Sequence, residues 1–175
     1  MQYVMIDLET LDVEPTAVVL SMGAVKFDPI TGKLGDTLFY RVDVDEQLAL
    51  SRTTSDKTMD WWAKQSPEAQ ESAFSPDDRH PLGFVLTQLH RFVWGSDRVW
   101  SQGSMDIDIL KHMFRSEKMN LPWAYWQVMD SRTIFDAIDG HVVKGTPHDA
   151  LSDAIGQAEG ICRAYAKIGY NGRPV

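Results

Sequence analysis

A chain of 175 residues that is 43% hydrophobic is long enough for one domain with its own core and short for two. Its single cysteine, Cys162, excludes an internal disulfide, and no stretch approaches the ~20 apolar residues of a membrane-spanning helix. The net charge of −8 argues against a generic nucleic-acid coat protein, which draws its affinity from cations on phosphates, but not against a nucleic-acid enzyme whose acids gather around divalent metals.

An N-terminus that carries Asp7 and Glu9 where a signal peptide needs a basic start and an apolar run points to a soluble cytoplasmic protein. One cysteine beside eight Met and six Trp fits the same reducing compartment. The opening Gln2–Asp7 reads as a buried strand and Val18–Phe27 as a second, with Gly23 marking a close backbone approach. Asp28–Gly32 is a turn, and Leu38–Val44 alternates as a third strand, so a three-stranded antiparallel meander is expected.

Helical spacing follows in Asp45–Ser51 and in Ser55–Gln65, where Ser55 or Asp56 can cap and Met59, Trp62 and Ala63 share a face. Pro67 suits the first turn of a short helix to Ala73, Ser75–Pro81 is a loop by composition, and Leu82–Trp94 carries an apolar helical stripe. A strand at Arg98–Gln102, a helix at Met105–Arg115, a strand near Tyr125–Met129 and helices at about Arg132–Asp139 and Asp149–Ile168 complete the chain. Strands first, then alternating helices and strands, indicate a mixed α/β sheet layered with helices.

The acids stand out against this pattern. In an extended segment Asp7 and Glu9 point to one face and Ile6 and Leu8 to the other, and two like charges brought together recruit a hard divalent cation or raise one another's pKa. In the helix Met105–Arg115, Asp106 falls in the apolar stripe with Ile109, Leu110, Met113 and Phe114, whereas Asp108 falls with Lys111, His112 and Arg115 on the solvent side. An unpaired carboxylate at Asp106 is costly, so it calls for a metal, an arginine or the rim of a cleft. Near the C-terminus, His148 and Asp153 can share a site only if His148 precedes the regular helix, which Pro147 and the capping-type Asp149 allow. Spacing does not choose between Asp149 and Asp153, since both lie off the stripe of Leu151, Ala154, Ile155, Ala158 and Cys162. His80, His90, His112 and His141 read as structural.

Asp7-x-Glu9-Thr10, Asp106 at the start of a helix after a strand, and His148-x4-Asp153 together resemble the DEDDh exonucleases, the DnaQ-like family. The resemblance runs from about Tyr3 to Tyr165, so residues 1–175 read as one such domain. The segment Thr58–Ser66 (TMDWWAKQS) and Ser131-Arg132-Thr133 are similar to the small group containing phage exonuclease A of the T4 type and the mycobacterial ribonuclease that trims adenylate tails. Gln102 and Asp149 depart from the Asn frequent at those places in relatives, and neither is a ligand position.

The fold this implies is ribonuclease H-like, an α/β sheet of three antiparallel strands followed by parallel strands and flanked by helices. The implied activity is 3′-to-5′ hydrolysis of single-stranded DNA or RNA from its 3′ end to 5′-mononucleotides. Asp7, Glu9, Asp106 and Asp153 would hold two divalent metal ions, Mg²⁺ or Mn²⁺, and His148 would act as general base. Trp61 is expected to face substrate while Trp62 packs inward. Arg52, Lys57 and Arg132 are the cationic candidates for substrate contacts, and Leu8 and Thr10 flank the metal acids closely enough to touch the terminal nucleotide. Related exonucleases often pair, which implies a homodimer. Two other readings stay open at this stage: a catalytically silent ribonuclease H-like binding module, and a metal-dependent hydrolase of nucleotides or small phosphodiesters.

Overall fold

The computed structural model describes residues 1–138 and 148–172. Among the described residues six strands form one mixed sheet. β1 (Tyr3–Thr10), β2 (Val19–Phe27) and β3 (Leu34–Val42) make the antiparallel meander. β5 (Arg98–Ser101) joins the other edge of β1 in parallel, β6 (Val128–Asp130) continues beyond it, and the short β4 (Arg79–His80) lies outside β3, giving the order β4-β3-β2-β1-β5-β6.

The helices are α1 (Val44–Ala49), α2 (Asp56–Trp62), α3 (Pro67–Phe74), α4 (Leu82–Val93), α5 (Met105–Ser116), α6 (Ser131–Ile138) and α7 (Ala150–Lys167). The alternation of β1 divides the core between two layers. Val4, Ile6 and Leu8 pack with α4 and α5, while Tyr3 and Met5 pack with α6 and α7. Asp7 and Glu9 therefore continue the Tyr3–Met5 row, so that an apolar row toward α7 turns acidic at the end of the strand.

Several boundaries differ from the sequence expectation for identifiable reasons. β3 starts at Leu34 because the turn closes early, with the Lys33 carbonyl accepting from Asp28 N–H at 2.9 Å; the exposed Gly35–Thr37 gives no hydrophobic alternation to announce it. The loop Ser75–Pro81 contains a two-residue strand, β4 (Arg79–His80), parallel to β3. Its Arg79 guanidinium is fastened to the carbonyls of Val42 (2.8 Å) and Ala73 (3.0 Å), a tertiary tie with no local pattern.

Tyr125–Gln127 is a 3₁₀ turn rather than strand: the Gln127 side chain accepts from Ala124 N–H and donates to the Ser96 carbonyl, both at 2.7 Å. Met59 and Ala63 are exposed, not packed beside Trp62, because α2 lies at the rim and inserts only Trp62. Ser55 caps α2 as expected, accepting from Thr58 N–H. His141 and the expected helix end at Asp139 lie outside the described residues. None of the described helices is long and apolar enough to cross a membrane.

Candidate active site

Three elements deliver the acids to one end of the sheet. β1 supplies Asp7 and Glu9, and the register with β2 shifts between Glu9 and Thr10, an irregularity of the kind that re-aims side chains at the end of a pairing. α5 follows β5 after the Gln102–Ser104 turn and places Asp106 in its first turn, buried, where the Leu8 backbone N–H hydrogen-bonds its carboxylate. α7 brings Asp153 to the same place because β2 permits it. Gly23, the cross-strand partner of Asp7, lies directly under the start of α7, where an added Cβ would fall 2.2 Å from the Ala150 carbonyl carbon. A side chain there would hold the helix off the sheet.

The structure also separates Asp149 from Asp153, which spacing could not do. Asp149 is the N-cap of α7, accepting from Ser152 N–H at 2.9 Å and from the Ser72 hydroxyl at 3.2 Å. Asp153 turns to the cluster instead, and one ligand atom each of Glu9, His148 and Asp153 lie within 4.8 Å of one another. His148 precedes the helix with φ +67°, a strained conformation for a non-glycine residue, and its N–H donates to Asp153 Oδ2 at 3.0 Å. Its ring stands edge-on to Trp61 (4.7 Å between centroids) and Trp62 (6.0 Å).

Electrostatically the four carboxyls form one strained group. Burial, then the charges of Asp106 and Glu9, push Asp7 well above the ordinary carboxylate range. Burial, then Asp153 and Asp106, push Glu9 up to about 8. Burial raises Asp106 to about 7, with the Leu8 N–H and the Arg132 charge pulling it back, and burial also raises Asp153 against the opposing pull of His148. Carboxylates gathered out of water with so little compensating positive charge suit hard divalent cations, whose oxygen-only preference this donor set meets.

The substrate-contact candidates divide. Trp61 is 42% exposed beside His148, whereas Trp62 is 2% exposed and donates its indole N–H to the Thr10 carbonyl at 2.9 Å. Arg132 is exposed, its guanidinium would stand 3.6 Å from a Cβ placed on Gly103 and its charge acts on Asp106, and Lys57 is exposed on the first turn of α2. Arg52 differs from expectation: it is buried, its Nε donates to the Ala17 carbonyl at 2.9 Å, and its guanidinium meets His112 at 3.3 Å, so its charge is spent on the backbone. The Leu8 side chain is buried in the core shared with α4 and α5, and the Thr10 hydroxyl donates to the Asp12 carbonyl at 2.7 Å.

Gln157 was not singled out by sequence reasoning. It is buried, stands four residues after Asp153 on the same face of α7, and donates from Nε2 to Asp7 Oδ1 at 2.8 Å. The available signal was a polar residue among Ala154, Ala158 and Ile161.

A family profile described as the 3′-5′ exoribonuclease Rv2179c-like domain matches residues 2–164. No curated protein sequence matches. Among solved structures, E. coli exonuclease I in complex with a dA16 oligonucleotide superposes with a TM-score of 0.69 at 11% identity, over 95% of this chain and 41% of that one. The nuclease domain of 3′hExo, a DEDDh family member bound to rAMP, gives 0.63 at 16% identity over 98% of this chain and 94% of that one. Cell-death related nuclease 4 gives 0.61 at 15% identity over 96% and 64%. The chain spans about two fifths of exonuclease I, and at these identities the likeness is one of fold, ribonuclease H-like. The match over residues 2–164 goes further: this chain belongs to the Rv2179c-like 3′-5′ exoribonuclease domain family.

Proposed function

We propose that the chain, acting as one catalytic domain over its 175 residues, removes 5′-mononucleotides from the 3′ end of single-stranded RNA or DNA. The observation that carries this reading is the convergence of Asp7, Glu9, Asp106 and Asp153 from β1, α5 and α7 beside His148, with burial raising the pKa of each acid.

Asp7, Glu9, Asp106 and Asp153 would hold two divalent ions, Mg²⁺ or Mn²⁺. Such ions, when bound, supply Lewis-acid stabilisation of the attacking and leaving oxygens in an in-line displacement. His148 takes the proton of the attacking water as the new P–O bond forms and the bond to the 3′-oxygen of the shortened strand breaks; that oxygen then takes a proton from solvent. The positive φ of His148 turns its ring out before the helix begins, and the indoles of Trp61 and Trp62 hold it there. Gln157 fixes one oxygen of Asp7 and leaves the other free to coordinate.

Trp61, half exposed at the rim, offers a ring on which a terminal base can stack, an interaction worth about 1–3 kcal/mol per base. Arg132 and Lys57 supply the nearby exposed cations for backbone phosphates.

The test uses 5′-labelled single-stranded RNA and the matching DNA with Mg²⁺, Mn²⁺ or EDTA, for the wild type, Asp7→Ala and His148→Ala. A metal-dependent ladder shortening from the 3′ end, lost in both variants, supports the proposal and shows which polymer is preferred. A folded wild-type protein that shortens neither strand with either metal defeats it.

A further inference from the structure

The end of the sheet remote from the acids carries the most exposed aromatic surface among the described residues. Trp94 is the C-cap of α4, and β5 begins at Arg98, opposite Tyr3 at the start of β1. Glu9 lies six residues further along β1, so the two regions are separated by roughly 20 Å along the strand direction. Trp94 is 67% exposed, Tyr125 85% and Trp126 61%.

This exposure is not the consequence of a loose segment. The 3₁₀ turn bearing Tyr125 and Trp126 is tied to the Trp94–Asp97 loop by the Gln127 amide on the Ser96 carbonyl, and Trp123 beneath it packs edge-on against Phe114 at 5.9 Å. Trp94 stacks on His90 with ring planes 18° apart and centroids 5.4 Å apart.

Two hollows flank this stack. One of about 350 Å³ is bordered by Trp94, Leu121 and Trp123; the other, of about 240 Å³, by His90, Arg91 and Asn120. Neither lining includes an acid, in a chain with 25 acids against 17 Lys and Arg. The neighbouring Asp97 is engaged with Gln2 N–H at 2.8 Å. Trp123, which borders the larger hollow, is itself buried, and its indole N–H has no hydrogen-bond partner among the described residues.

We propose that the face formed by His90, Arg91, Trp94, Trp123, Tyr125 and Trp126 is a second site for single-stranded nucleic acid, holding the body of a strand whose 3′ end lies at the acids. The proposal rests on the reading of the substrate as a nucleic-acid strand. Parallel-stacked rings with one open face, a cation beside them and no acid lining either hollow are what a sequence-tolerant single-strand surface requires. A second copy of the chain fits the face less well, because a two-fold contact sets the patch, and its cation, against itself. At roughly 20 Å from Glu9 the face is out of reach of a dinucleotide held at the acids, so its effect grows with strand length.

The full chain is tested in EDTA, where cleavage stops and the metal-free carboxylates repel phosphate. Binding of labelled 4-residue and 20-residue single-stranded oligonucleotides is followed by anisotropy for the wild type, Trp94→Ala and Arg91→Ala, two exposed positions whose replacement spares the fold. The expected result is measurable binding of the longer strand that weakens at least fivefold in both variants, while turnover of a dinucleotide with Mn²⁺ stays unchanged. Equal binding by wild type and variants overturns the proposal, as does absence of binding to the longer strand. A wild-type dimer that Trp94→Ala converts to monomer in sedimentation, with strand binding unchanged, also overturns it and gives the face to a second copy. Failure of the wild type to shorten any strand with metal would sink the functional reading instead, and is scored separately from binding in EDTA.

Discussion

Gly23→Ala isolates the contact that assembles the acid cluster without altering any of its members. The new Cβ would lie 2.2 Å from the Ala150 carbonyl carbon and 2.3 Å from both the Ala150 oxygen and the Leu151 nitrogen. All three are backbone atoms, so no rotamer change relieves the clash. Since ordinary Cβ contacts begin near 3.4 Å, the first turn of α7 must retreat from β2 by roughly 1 Å, carrying Asp153 and the preceding His148 away from Asp7 and Glu9. Forcing a methyl into such a packed contact costs about 1–3 kcal/mol, and a misplacement of about 1 Å costs about a hundredfold in rate. Urea unfolding should show a lower midpoint with the slope retained, and the 3′-shortening assay should show kcat falling about a hundredfold while the protein remains folded at the assay temperature. Wild-type stability together with wild-type turnover would refute the claim that this glycine sets the position of α7.

In the metal-free protein Glu9 holds its proton up to about pH 8 when folded but releases it near 4.5 when unfolded, so stability is fullest below 4.5 and declines as pH rises toward 8. Thermal melts in EDTA should move down across that range and the gain from added Mn²⁺ should grow; a flat profile contradicts the assignment. Gln157→Leu removes the donor to Asp7 Oδ1 and should weaken Mn²⁺ affinity about tenfold in calorimetry, against an unchanged affinity if the bond only packs α7. Arg52→Ala strips the Ala17 carbonyl of its buried donor and should cost about 2 kcal/mol in urea unfolding with KM unchanged; a raised KM with unchanged stability would return Arg52 to the substrate surface.

The parts of the fold legible in the sequence were those with local periodicity. The alternation of β1 separated Asp7 and Glu9 from Ile6 and Leu8, and the helical stripe placed Asp106 among apolar residues, and both arrangements stand in the structure. Gly23 was legible as a close approach because a strand interior has little other use for glycine, but what approached it, the start of α7 well over a hundred residues later, is a tertiary fact.

Asp149 and Asp153 were indistinguishable by angle. The capping bond to Ser152 N–H and the reach to Ser72 set the surroundings of Asp149 apart from those of Asp153, and both depend on where the chain enters α7. Arg52 looked like a free surface cation because nothing local revealed the carbonyls of Pro15 and Ala17 waiting across the fold. The two-residue β4 and the 3₁₀ turn at Tyr125–Gln127 are held by the side chains of Arg79 and Gln127, so their backbone geometry follows from long-range hydrogen bonds that no window of sequence contains.

The central claim is that four clustered carboxylates, Glu9 and Asp106 buried and Asp7 and Asp153 half-buried, are a metal centre and not merely an acidic cleft. Its most direct test is the stoichiometry of Mn²⁺ binding to the purified, EDTA-stripped chain, measured by equilibrium dialysis at pH 7.5 for the wild type and for Asp106→Asn. Two ions per chain in the wild type and fewer in the variant are predicted. A wild-type protein that is folded, binds no Mn²⁺, and yet shortens strands from the 3′ end would contradict the account.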